Sequence, residues 1–170
     1  MSASYELNLL SRLVAIDTDA NTKSGYLECS DLVRKEAEEL GFKTRIYDSQ
    51  ALSDDGKARP NVVVDLDAGA RETILLATHY DVVPPGTGWK HSPFKLEIVG
   101  DRAYGRGTSD DKGAIVSALS AMRELSDGKS KVNLSLLVTA DEEVGGRLGL
   151  GYLVNQVGVA GDAAIVLDSG

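Results

Sequence analysis

Cysteine is almost missing: Cys29 is the only one in 170 residues. That excludes an internal disulfide and any cysteine-cluster metal site, and the lone thiol reads as a small buried hydrophobe. Histidine is nearly as scarce, with His79 and His91 alone. No apolar run approaches the ~18 residues that a membrane-spanning helix needs. The opening Met1-Ser-Ala-Ser-Tyr-Glu6 has no basic segment leading into an apolar one. No secretory leader is therefore read there, and a soluble cytoplasmic protein is the expectation. Cations are outnumbered, 18 Lys and Arg against 26 Asp and Glu, giving a net charge of −8. Phosphate backbones are gripped by clustered Lys and Arg, so no nucleic-acid partner is expected. Part of the acidic excess is available to neutralise a bound cation. Also absent are the phosphate-cradling Gly-X-X-X-X-Gly-Lys-Ser/Thr loop, a strand-linked Gly-X-Gly-X-X-Gly and a Gly-X-Ser-X-Gly nucleophile elbow.

What remains is a chain long enough to bury one real core. Leu7, Leu10, Leu13 and Val14 recur at helical spacing in residues 4–16. A second amphipathic helix is predicted over residues 26–40, with Leu27, Leu32, Val33 and Ala37 toward a core and Gly41 at its exit. Residues 42–47 read as a strand. Residues 61–66 and 73–78, separated by Ala68-Gly-Ala70, read as a strand–turn–strand pair. Residues 95–99 and 102–104 flank Gly100-Asp101 as a hairpin. From residue 105 onward the order is helix, strand, short helix, strand, with Ile115, Leu119, Met122 and Leu125 marking the first helix. The predicted architecture is α/β: a mixed, largely parallel sheet flanked by helices in three layers.

Apolar strands in this pattern end in groups that bind metals or protons. Residues 73–79 run into His79, and Asp81 follows two residues on. In extended chain, i and i+2 side chains share a face, so Asp81 is placed to hold one imidazole nitrogen and aim the other outward. The strand over residues 132–138 leads into Glu142-Glu143, and the strand over residues 163–167 ends in Asp168. Asp110 and Asp111 precede a helix, where acidic residues also serve as caps and suit the macrodipole. Ligands of parallel α/β sheets gather outside the carboxyl ends of the strands, which brings these residues toward one place. One histidine with several carboxylates suits zinc, cobalt or manganese. A carboxylate can bridge two ions, and a second carboxylate beside them can act as general base. His91, in a loop with Trp89, Pro93 and Phe94, reads as a packing or surface residue.

Taken together, His79-Tyr-Asp-Val-Val-Pro84, Gly105-Arg-Gly-Thr-Ser-Asp-Asp-Lys-Gly113, Thr139-Ala-Asp-Glu-Glu-Val-Gly-Gly146 and Val166-Leu-Asp-Ser-Gly170 resemble the M20 metallopeptidase family. Acetylornithine deacetylases, succinyl-diaminopimelate desuccinylases, aminoacylases and glutamate carboxypeptidases belong to that group. The resemblance implies a zinc-peptidase-like fold and one or two Zn2+ ions, with Co2+ or Mn2+ as alternatives. It implies that His79 and Asp168 hold one ion, Asp110 bridges two, and Glu143 holds the second. Glu142 is then the general base, Asp81 orients His79, and the Asp110–Asp111 peptide is cis. The implied reaction is cleavage of an amide bond in a small peptide or N-acyl amino acid by a metal-activated water. Family enzymes add a lid or dimerisation domain and a C-terminal return that brings a second-metal histidine. Residues 1–170 are therefore expected to be the N-terminal part of a catalytic domain. The alternative expectation is a non-catalytic remnant or split-gene half that binds metal, a complementary C-terminal polypeptide, or both.

Overall fold

The structure is a computed structural model that describes residues 3–168. Met1, Ser2, Ser169 and Gly170 lie outside the described residues, and with them the last two positions of the motif beginning at Val166. The elements run α1 (Ala3–Ala15), α2 (Tyr26–Glu39), β1 (Lys43–Asp48), β2 (Pro60–Leu66), β3 (Thr73–His79), β4 (Glu97–Val99) and β5 (Arg102–Tyr104). They continue with α3 (Lys112–Leu125), β6 (Asn133–Thr139), α4 (Leu150–Tyr152) and β7 (Ala163–Val166).

Five strands form one sheet in the order β1-β2-β6-β3-β7. β1 pairs with β2 and β2 with β6 antiparallel, whereas β3 lies parallel to both β6 and β7. The mixed sheet flanked by helices is as the sequence predicts, and β4–β5 is a separate hairpin. One expectation about strand pairing is overturned. The runs that became β2 and β3 do not pair as a hairpin, because β6 lies between them. β6 carries Leu134, Leu136, Leu137 and Val138, all buried. A run that is apolar on both faces gains most at the sheet centre, where helices cover it on either side. The connection from β2 to β3 wraps round the start of β6. There the Asn133 side-chain oxygen accepts the N–H groups of Ala68 and Ala70 at 3.0 and 3.2 Å.

One face of the sheet packs on α1, α2 and α3 through Leu9, Leu13, Val33, Ile115, Leu119 and Met122. The opposite face is smaller: Val63, Leu75 and Leu137 meet Leu153, with Leu150 and Tyr152 alongside. The buried stripe of α2 is Tyr26, Cys29, Ser30, Val33, Glu36 and Ala37, spaced for one side of a helix. Leu27 falls off that stripe and is 64% exposed, contrary to its predicted place in the core. Tyr26 and Cys29 outcompete it for the inward side. The helix ends in a Schellman motif, in which Phe42 N–H bonds to Ala37 O at 3.0 Å and Gly41 N–H to Glu38 O at 2.9 Å. Gly41 supplies the left-handed turn, with φ 88°. Lys112, fully buried at the head of α3, donates to Leu13 O and Ile16 O at 3.0 and 2.8 Å. It thus ties α3 to the last turn of α1, and burial lowers its pKa. Among the described residues, no helix is long and apolar enough to cross a membrane.

Candidate metal centre

Because β3, β6 and β7 run the same way, their carboxyl ends open on one edge of the sheet. His79 closes β3, Glu142 and Glu143 follow β6 in a short 3-10 turn, and Asp168 follows β7. Asp110 reaches the same edge from the loop before α3. One ligand atom from each of His79, Asp110 and Asp168 lies within 4.8 Å of the others. The Nε2 of His79 is 3.1 Å from Asp110 Oδ1 and 3.8 Å from Glu142 Oε2. The peptide bond between Asp110 and Asp111 is cis.

The opposite ring nitrogen fixes the tautomer. His79 Nδ1 lies 3.0 Å from the backbone oxygen of Asp81, an acceptor that cannot donate, so Nδ1 carries a proton. The Asp81 carboxylate is farther away, at 3.4 Å. The pairing read from the i, i+2 alternation thus takes a different form: the carbonyl orients the ring. The strand ends at His79, so the strict alternation does not extend to residue 81. The carboxylate instead accepts the backbone N–H groups of Glu142 and Glu143, each at 3.1 Å. Asp81 therefore joins the histidine to the glutamate turn.

Electrostatics test whether a cation suits this place. His79 is 1% exposed and its Nε2 has no hydrogen-bond partner within the protein. Burial favours the neutral ring, but the Asp81 carboxylate, followed by Asp111 and Glu142, outweighs it and pushes the pKa up to about 9. The place therefore favours a positive charge, which either a second ring proton or a cation facing Nε2 supplies. Glu143 points to the same deficit. Its pKa is raised by burial and then by the Asp110 carboxylate, even though its Oε1 accepts the Val83 N–H at 3.2 Å. An orphaned buried nitrogen facing carboxylates is a donor set that fits a divalent cation.

The geometry sorts the predicted residues. His79, Asp110 and Asp168 come together, Glu142 stands at their side, and Glu143 lies outside the three-residue group. His91 is elsewhere: it stacks on Tyr104 with centroids 4.5 Å apart, and its Nδ1 is 3.0 Å from Glu97. Asp111 occupies the N-cap position of α3 without making a capping bond. Its carboxylate accepts the Thr78 hydroxyl at 2.5 Å, beneath His79. Sequence reasoning missed the use of Thr78, and missed Arg59, Asn61 and Asp141, which brace the glutamate turn. Asn61 Oδ1 accepts Ala140 N–H at 2.9 Å. No motif marks Arg59 or Asn61, because their partners are far away in sequence.

The fold and site belong to the class of open α/β sheets that hold ligands beyond the carboxyl ends of their strands, here with a donor set that fits a divalent cation. Within that class, the description of Peptidase family M20/M25/M40 matches residues 75–169, and the chain belongs to that family. It is 34% identical over 160 residues to an uncharacterized metallohydrolase of Methanococcus maripaludis, covering 88% of this chain and 39% of the relative. It is 47% identical over 85 residues to a succinyl-diaminopimelate desuccinylase of Gluconobacter oxydans, covering 49% of this chain and 22% of the relative. An M20 family metallo-carboxypeptidase from Sulfolobus solfataricus superposes with a TM-score of 0.83 at 30% identity, covering 100% of this chain and 38% of that one. The chain thus spans less than half the length of these relatives.

Proposed function

We propose that this chain carries the metal-binding half of a zinc-dependent hydrolase that cleaves an amide bond in a small peptide or an N-acyl amino acid. One observation carries the reading: His79, Asp110 and Asp168 converge within 4.8 Å, with Glu142 Oε2 beside the same imidazole nitrogen. In this reading His79, Asp110 and Asp168 would hold one ion, and Asp110 and Glu143 would contribute to a second. A bound divalent ion supplies Lewis acidity, polarising the scissile carbonyl and lowering the pKa of water.

Protein groups do the rest. Glu142, half-exposed at the mouth, takes a proton from the attacking water and returns it to the leaving nitrogen as the C–N bond breaks. Asp81 keeps Glu142 in reach by holding its amide. The Asp81 carbonyl keeps His79 Nε2 turned toward Asp110 and Glu142. The desuccinylase and carboxypeptidase relatives support an acyl amino acid or peptide substrate.

A second reading follows from the donor count. Among the described residues the second ion position has the carboxylates of Asp110 and Glu143, while His91 is committed to Glu97 and Tyr104. In that reading this stretch holds one ion, and a complementary polypeptide supplies the remaining ligands before turnover is possible. Zinc content per chain, measured beside hydrolysis of a panel of N-acyl amino acids, separates the two. Two ions with turnover by the chain alone supports the first. One ion, with turnover only after a second polypeptide is added, supports the second. Glu142→Gln should abolish turnover with zinc content unchanged; near-normal turnover in that variant refutes the role given to Glu142.

A further inference from the structure

We propose that Arg59 is a positioning residue for Glu142 and Glu143, acting through the buried carboxylate of Asp141. The inference rests on the function proposed above, since it concerns how those two glutamates are held for that chemistry.

Asp141 begins the turn that carries both glutamates, and it does so in the left-handed region, at φ 57° and ψ 25°. Few residues other than glycine enter that region, aspartate more readily than most, and here specific contacts hold it there. Those contacts are on the side chain. Arg59 Nε donates to Asp141 Oδ2 at 2.6 Å, Tyr26 OH donates to Oδ1 at 3.1 Å, and Lys23 Nζ stands 3.4 Å from Oδ1. The backbone then follows: Asp141 O accepts the Gly146 N–H at 2.7 Å and closes the loop.

Arg59 is itself fixed. Its remaining donors reach Asp55 Oδ2 at 2.8 Å and Lys57 O at 2.9 Å, and its guanidinium lies 5.9 Å from the centre of the Tyr26 ring. The side chains of Arg59 and Asp141 are 4% and 7% exposed. A buried ion pair carries a desolvation cost that an apolar pair avoids, and what it offers in exchange is a defined geometry. A solvent-open pocket of about 330 Å³, lined in part by Lys23, Asp55, Arg59, Asp141 and Arg147, adjoins the ion pair.

The turn is thus held from two sides. Asp81 takes the glutamate amides on the metal side, and Arg59 anchors Asp141 on the far side. Arg59 arrives there because it directly precedes β2, whose beginning lies against the end of β6 through the Val62–Val138 pairing. Among the described residues no hydrogen bond or ion pair of Arg59 reaches His79, Asp110 or Asp168, and its link to the glutamate turn is the Asp141 carboxylate.

The test compares zinc-loaded wild type with Arg59→Met, Arg59→Lys and Tyr26→Phe, using hydrogen exchange read by mass spectrometry and steady-state kinetics in the assembly, alone or complemented, that turns over. In Arg59→Met the peptide over residues 139–146 should exchange about tenfold faster, while peptides from the middle of β2 and β6 stay within about twofold of wild type. The kcat should fall by at least about tenfold with KM within about twofold, the pattern of a lost transition-state interaction. Arg59→Lys, which keeps the charge and loses the fork, should fall between. Unchanged exchange over 139–146 overturns the proposal, and so does a kcat within about twofold of wild type when Glu142→Gln is inactive. If Arg59→Met loosens the whole sheet, Tyr26→Phe decides, because it deletes one hydrogen bond to Asp141 and keeps the ring in the core. Faster exchange confined to 139–146 then supports the proposal, and no change overturns it. Normal turnover in Glu142→Gln would instead defeat the functional reading, leaving exchange to judge Arg59.

Discussion

Asp81 offers the sharpest test of how the centre is built, because its carbonyl and its carboxylate have separate duties. The carboxylate is fully buried and accepts two backbone N–H groups at 3.1 Å each. Hydrogen bonds to a charged group contribute roughly 1.5–3 kcal/mol apiece, so removing both costs about 3–6 kcal/mol. Relief of the buried charge offsets part of this, leaving a destabilisation of about 2–4 kcal/mol for Asp81→Ala. Asp81→Asn retains one acceptor oxygen and turns an NH2 group toward the other amide, so about half that loss is expected. With a urea m-value of about 2 kcal/mol/M, the midpoint should fall by about 1–2 M in Asp81→Ala at constant m. The carbonyl that orients His79 survives in both variants. Zinc content of the folded Asp81→Asn protein should therefore equal wild type. A midpoint shift below about 0.3 M in Asp81→Ala would refute the bracing role. Loss of zinc from a still-folded Asp81→Asn protein would show that the carboxylate, not the carbonyl, orients the ring.

Two further predictions concern groups away from the cluster. Burial pushes the Cys29 thiol up to about 11 from an ordinary 9.0. The native state therefore keeps a proton that the unfolded chain gives up, so this contribution is complete below pH 9 and is lost as pH rises toward 11, by about 3 kcal/mol at most. Urea midpoints at pH 8 and pH 10.5 should fall less steeply in Cys29→Ala than in wild type, and parallel slopes would contradict the assignment. His91→Ala should leave zinc stoichiometry unchanged, because His91 pairs with Glu97 and Tyr104 away from the centre; loss of an ion by elemental analysis would put His91 among the ligands.

Much of this protein is determined locally. The helices α1, α2 and α3, the β4–β5 hairpin and the apolar strands follow from spacing and turn chemistry, and hydrophilic groups at strand ends mark where ligands gather. His79 and Asp168 were legible because each stands at the end of an apolar strand, and Asp110 because it stands just before an amphipathic helix. Leu27 was misplaced because periodicity gives a stripe without saying which of two adjacent apolar residues turns inward. The neighbour of each strand was not legible either. β6 enters between β2 and β3 because a strand that is apolar on both faces has to be covered on both, a condition set by the whole sheet.

Tertiary structure alone decided how the metal-side residues are held. That the Asp81 carbonyl meets His79, while its carboxylate holds the glutamate turn, depends on where the chain bends after β3. That Arg59 meets Asp141 depends on an antiparallel β2 starting beside the end of β6. The sequence determined which histidine and carboxylates stand at the strand ends. The sheet determined their spacing and the contacts that keep them there, because such contacts join residues far apart in the chain and leave no periodic signal within it.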